Sequence, residues 1–104
     1  MRIESLHLFV EVMDKKRCTI NFRGRVQGVG FRVTACHVVS GYPELTGWVR
    51  NEADGSVLMV VEGESEQIRG CLDDLRRRMR FNIVDERVEW SEASGSFSDF
   101  GIKY

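Results

Sequence analysis

An α+β sandwich, with two helices packed on one face of a mainly antiparallel sheet, is predicted by three observations. Alternating segments give way twice to helical spacing, a glycine-rich run follows the first strand, and a two-residue turn signal separates the central strands. Over residues 17–23, Cys18, Ile20 and Phe22 fall on one face and Thr19, Asn21 and Arg23 on the other, the period of a half-buried strand. The run Gly24-Arg25-Val26-Gln27-Gly28-Val29-Gly30-Phe31-Arg32 follows directly. Beyond it the period changes: Phe31, Ala35, Val38, Val39 and Tyr42 share one helical face, and Gly41 and Pro43 stop the helix.

Residues 45–51 then read as a short strand, Asp54-Gly55 as a turn, and residues 56–62 as the hairpin partner. Ser65 is expected to cap a second helix, because Ile68, Cys71, Leu72, Leu75 and Met79 recur at helical spacing. Residues 83–90 and 97–104 read as the closing strands, with Phe100, Ile102 and Tyr104 on a common face and a polar turn around Gly95. The order is β-α-β-β-α-β with one additional short C-terminal strand, the split βαβ pattern of a ferredoxin-like α/β sandwich.

Composition narrows the function. At 104 residues, 42% apolar and 30% charged, the chain has the size and balance of one soluble globular domain. A formal net charge of −1 provides no global field for nucleic acid or an acidic membrane, so any anion must be bound locally. Cys18, Cys36 and Cys71 are an odd set without a CxxC pair, which reads as reduced thiols in a cytoplasmic protein. No stretch approaches the roughly 18 apolar residues of a membrane helix. The run Leu6-His7-Leu8-Phe9-Val10, followed by Glu11, makes a poor signal peptide. His7 and His37 lack ligand spacing with the cysteines, and no metal site is expected.

The glycine run has the chemistry of an anion cradle. Glycines let the backbone turn and approach a ligand, so that successive N–H groups converge on phosphate oxygens at a helix N-terminus. Arg32 adds a full charge and a planar fork of donors. Without an anion, an arginine there would face the positive end of the helix dipole unfavourably.

That run, followed by Gly47-Trp48-Val49-Arg50-Asn51-Glu52-Ala53-Asp54-Gly55-Ser56-Val57, closely resembles the two signatures of the acylphosphatase family. The resemblance spans nearly all of residues 17–104, including the closing Phe100-Gly101-Ile102-Lys103-Tyr104. It implies hydrolysis of an acyl phosphate to a carboxylate and inorganic phosphate, with no cofactor and no metal. By the same resemblance Arg25, Val26, Gln27, Gly28, Val29 and Gly30 hold the phosphate through backbone amides. Arg32 is then the catalytic arginine, and Asn51 orients the attacking water. The chemistry agrees, since a loose phosphoryl-transfer transition state is stabilised mainly by positioning and electrostatics, and the leaving carboxylate needs no strong general acid.

The side chains of Arg25 and Gln27 are expected to stay out of the chemistry. Cys36 beside His37 is not expected to form a nucleophile–base pair, because neighbours on a helix point about 100° apart. Arg76, Arg77, Arg78 and Arg80 suit the C-terminal end of the second helix as a solvated face better than a nucleic-acid patch. Residues 1–16 precede the family-like domain of residues 17–104 as an extension, either disordered or an extra edge strand carrying Leu6, Leu8, Val10 and Val12, and Met13 offers an alternative start.

Two competing readings share the fold. One is the acylphosphatase-like domain of hydrogenase maturation factors, acting on carbamoyl phosphate, against which the lack of attached domains weighs. The other is an RNA-reading or ligand-sensing module, against which residues 56–62 weigh by carrying no aromatic side chain. The expected partners are a small-molecule acyl phosphate and its phosphate product, with no nucleic acid and no membrane, and the expected state is a monomer.

Overall fold

A computed structural model describes residues 15–104. Strand β1 (Lys15–Gly24) leads through the glycine loop into helix α1 (Phe31–Val39). The hairpin β2 (Thr46–Asn51) and β3 (Val57–Glu64) follows, then helix α2 (Ser65–Arg78), β4 (Ile83–Glu92) and β5 (Phe100–Ile102). The sheet order is β4-β1-β3-β2-β5. Every pairing is antiparallel except β2 with β5, which is parallel. The expected βαββαβ order with a short additional strand is therefore the observed one. The extra edge strand, the alternative start at Met13 and the histidine at position 7 lie outside the described residues.

Alternation decides the layers. Cys18, Ile20 and Phe22 of β1, Val49 of β2, and Val57, Met59 and Val61 of β3 are buried on one face. Phe31, Ala35 and Val38 of α1 and Ile68, Cys71, Leu72 and Leu75 of α2 close the core over them.

Several boundaries differ from expectation: β1 begins at Lys15, so residues 15 and 16 of the expected extension belong to it, and β3 and β4 each run two residues further, to Glu64 and Glu92. Helix α1 ends at Val39, and Tyr42 follows in a turn in which its N–H donates to the Val39 carbonyl at 2.8 Å. Ser65 is the first helical residue of α2, with Glu64 in the cap position. Strand β5 covers only Phe100–Ile102, whereas a strand over 97–104 was expected. Phe97 lies instead beneath the Arg17 guanidinium, 5.4 Å from it, and Tyr104 extends past the ladder.

Residues 93–99 cross the helix-free face from one sheet edge to the other, and a buried carboxylate clasps them. Glu62 is 3% exposed and points to that face. It accepts hydrogen bonds from Arg17 Nε at 2.7 Å, from the Ser94 N–H at 2.9 Å and from the Gly95 N–H at 3.0 Å, with the Ser94 hydroxyl on the same carboxylate. Burial pushes the Glu62 carboxyl up, but the donors from Ser94, Arg17 and Gly95 together outweigh it and hold it below its ordinary value of 4.5.

A group depressed in the folded state stabilises the fold above its unfolded pKa, and that contribution is lost as pH falls through the folded value. Glu62→Gln is therefore expected to lower stability at pH 7 by about 2–4 kcal/mol, since it removes a charged acceptor from a buried cluster. Urea unfolding at pH 7 and at pH 3 checks this: the variant should lose less stability between the two pH values than the wild type does.

Candidate active site

The topology brings the two sequence motifs to one end of the sheet. Strands β1 and β2 each pair antiparallel with β3, so they run in the same direction, and Gly24 and Asn51 leave the sheet at the same end. Asn51 is paired with Val57, and Val57 with Phe22. Two strand spacings therefore separate Asn51 from Phe22, about 10 Å. Asn51 alternates with Val49 and so falls on the helix-bearing face. On that face the Phe22 ring meets Phe31, the first residue of α1, at a centroid distance of 5.0 Å and an angle of 50°. This contact seats the helix start, and Arg32 in its first turn, above the same sheet end.

Between Gly24 and Phe31 the backbone forms a concave nest. Gly28 and Gly30 have φ of +75° and +77°, and among the described residues no non-glycine residue has a positive φ. Alternation of left-handed glycines with ordinary residues turns successive N–H groups toward a common centre. A Cβ on Gly28 or Gly30 would meet nothing within 4 Å, so backbone conformation rather than crowding requires glycine there. Among the described residues, none of the N–H groups from Gln27 to Val33 has a protein acceptor. The first helical bond is from the Thr34 N–H to the Gly30 carbonyl at 2.9 Å. No acidic side chain occupies the first turn.

The nest is held from below and from the side. Val26 is buried in the core. The Arg25 N–H donates to the Asn82 carbonyl at 3.0 Å, and Asn82 Nδ2 donates back to the Arg25 carbonyl at 3.0 Å. Arg25 thus anchors the loop through its backbone, and its own N–H is engaged within the protein. Gln27 Nε2 donates to the carbonyls of Glu52 at 2.7 Å and Ser56 at 2.8 Å, bridging the loop to the β2–β3 turn.

Sequence reading assigned Gln27 a backbone contribution only, and it passed over Asn82 and Ser56. The Asp54-Gly55 turn signal marked the hairpin but not the buried Ser56 beside it. There Asp54 Oδ1 accepts from the Ser56 N–H at 3.0 Å, and Asn21 Nδ2 donates to Ser56 Oγ at 2.9 Å.

Arg32 is half-buried, and its guanidinium lies 5.4 Å from the centre of the Tyr104 ring. Among the described residues no carboxylate pairs with it, and the Asn51 side chain has no hydrogen-bond partner there. The site end of the molecule therefore offers several backbone donors and the Arg32 guanidinium, with an amide side chain across from them.

Other candidates carry less. Burial pushes the Cys36 thiol up, the opposite of what a nucleophilic thiolate needs, and His37 beside it is exposed. Burial likewise raises Cys18 to about 11 and Cys71 to about 12. No group of three or more His, Cys, Asp or Glu side chains suited to a metal ion occurs among the described residues. Arg76 pairs with Glu86 and Asp73, and Arg77 with Asp74, so these arginines are engaged with carboxylates. No helix among the described residues is long and apolar enough to cross a membrane.

Known proteins match this arrangement closely. The family model "Acylphosphatase" matches residues 18–102. An acylphosphatase of Salinibacter ruber is 36% identical over 97 residues, covering 90% of this chain and 99% of the relative. One from Bacillus licheniformis is 38% identical over 82 residues, covering 78% and 90%. The crystal structure of acylphosphatase from Bacillus subtilis superposes with a TM-score of 0.78 at 30% identity, covering 86% of this chain and 99% of that one. With a matched region that begins in β1, ends in β5 and contains both the nest and the Asn51 hairpin, the chain belongs to the acylphosphatase family and hydrolyses acyl phosphates.

Proposed function

We propose that the nest amides and Arg32 bind the phosphate of the acyl phosphate, and that Asn51 holds the water that attacks it. One observation supports this reading: among the described residues, unmatched amides, an arginine with no carboxylate partner and an asparagine whose side chain has no partner occur together at one sheet end. In the reaction the water oxygen bonds to phosphorus, and the bond from phosphorus to the acyl oxygen breaks. The carboxylate leaves with the electron pair as a weak base, and the protons of the attacking water remain on the oxygens of the phosphate product. Charge on the equatorial phosphate oxygens meets donors already aimed at the site, so little reorganisation accompanies bond cleavage. An asparagine can accept from the water and donate to it at once, fixing its lone pair toward phosphorus.

Gly28, Val29 and Gly30 contribute backbone N–H groups, and so does Gln27. Val26 and Arg25 support the loop from the core and from Asn82. The catalytic unit is residues 17–104, acting as a monomer in the cytoplasm and without a metal, since the charge the reaction requires comes from Arg32 and the amides.

Phosphate release from an aryl acyl phosphate, in the presence of a chelator and with inorganic phosphate as competitor, tests the reading. Undiminished turnover with the chelator and competitive inhibition by phosphate are expected. Loss of activity on chelation would refute metal independence.

Arg32→Lys should lose activity by roughly 100- to 1,000-fold, because an ammonium keeps the charge but not the planar fork. Asn51→Ala should reduce kcat by about 100-fold while leaving phosphate inhibition within about twofold. A large loss of phosphate affinity in the Asn51 variant would instead assign that residue to the cradle.

A further inference from the structure

We propose that Gln27 is a positioning residue, whose amide sets the spacing between the phosphate cradle and the water held by Asn51. The inference rests on the reading of the nest and Asn51 given above. Gln27 belongs to the nest by its backbone, one residue before the left-handed Gly28. Its side chain leaves in the other direction, and both hydrogens on Nε2 are used, to the carbonyls of Glu52 at 2.7 Å and Ser56 at 2.8 Å.

These two carbonyls bracket the turn that follows Asn51. The Glu52 N–H donates to the Ser56 carbonyl at 2.9 Å, and the Gly55 N–H to the Glu52 carbonyl at 3.2 Å. Gln27 thus adds a second donor to each acceptor of a turn that is already closed. The Glu52 N–H lies in the Asn51–Glu52 peptide plane and donates to the Ser56 carbonyl, while the Glu52 carbonyl lies in the following plane, so the two acceptors that Gln27 holds fix both peptide planes after Asn51. Ser56 is fixed independently, by Asn21 from β1 and by Asp54.

Only a neutral side chain with two hydrogens on one nitrogen serves two convergent carbonyls without adding charge beside the phosphate. A glutamate of the same shape would set acceptors against acceptors. A methionine of similar length would provide no donor.

Three variants test the proposal: Gln27→Met, Gln27→Glu, and Gln27→Met combined with Asn51→Ala. Gln27→Met should reduce kcat by roughly ten- to a hundredfold, the scale set by ångström-sized misplacement, with the inhibition constant of inorganic phosphate within about twofold. Gln27→Glu should be slower than Gln27→Met at neutral pH. Relative to wild type it should recover as pH falls, because the protonated carboxyl regains one donor; the loss in kcat with phosphate inhibition unchanged is the readout that a merely structural role would not produce. The double variant should be no slower than Asn51→Ala alone, because Gln27 acts through that residue.

Thermal melts establish that each variant is folded. Unchanged kcat in Gln27→Met overturns the proposal, and so do parallel losses in kcat and phosphate affinity or additive losses in the double variant. Full activity of Asn51→Ala on its own overturns the reading of Asn51 first and this proposal with it, so the two failures are distinguishable.

Discussion

Both hydrogens of the Gln27 amide end on carbonyls of the β2–β3 turn, and this bridge ties a loop that leaves β1 to a residue that ends β2. The sheet alone does not supply that tie. Its ladders place Phe22, Val57 and Asn51 side by side, but the chain beyond Gly24 has left the ladder and turns through two left-handed glycines. Asn82 and Val26 hold the base of the loop, while Gln27 ties its middle to the turn after Asn51. Two such bonds contribute about 1–3 kcal/mol net, a modest share of the stability of a domain. A displacement of about 1 Å between reacting groups changes a rate by about 100-fold, which is a similar free energy acting on one step. The bridge therefore matters more to geometry than to folding.

The two faces of the sheet divide stability from chemistry. On the helix side the apolar residues of β1, β2 and β3 meet α1 and α2, and the Phe22–Phe31 contact carries the order of that core to the start of α1. On the other side, residues 93–99 are clasped on Glu62 and Arg17. Val57 stands at the site end of β3 and Glu62 near its far end. Five residues of strand separate them, about 17 Å. The crossover thus closes the helix-free face away from the nest.

Periodicity made much of this legible. Cys18, Ile20 and Phe22 alternate because one side of β1 is buried, and Ile68, Cys71, Leu72 and Leu75 recur because one stripe of α2 is. Asp54-Gly55 announced the hairpin, and the paired motifs pointed to Arg32 and Asn51. Strand β5 was over-extended because Phe97 and Tyr104 look like sheet residues, yet each lies against a guanidinium rather than in the ladder. Spacing records that a residue is apolar, not whether its neighbour is a strand or a cation. The roles of Gln27 and Asn82 were hidden for a related reason: their partners lie 25, 29 and 57 residues away in the chain. Polar side chains show no period that would expose such a pairing, and only the closed fold brings donor and acceptor together.

Arg32 shows how a cation can be kept ready without being neutralised. It begins a helix whose dipole disfavours positive charge there, and no acidic residue in the first turn offsets that effect. A carboxylate partner would orient the guanidinium but would also compete with the phosphate for the same fork of donors. The Tyr104 ring, 5.4 Å from the guanidinium, attracts the cation, and among the described residues no acceptor engages its N–H groups. Tyr104 is itself 96% exposed and leaves the guanidinium accessible, and on the proposed reading a phosphate bound at the nest would also relieve the unfavourable helix-dipole interaction. On that reading the tension at the helix start would be resolved by the substrate itself, and the arginine would be most stable with the phosphate bound.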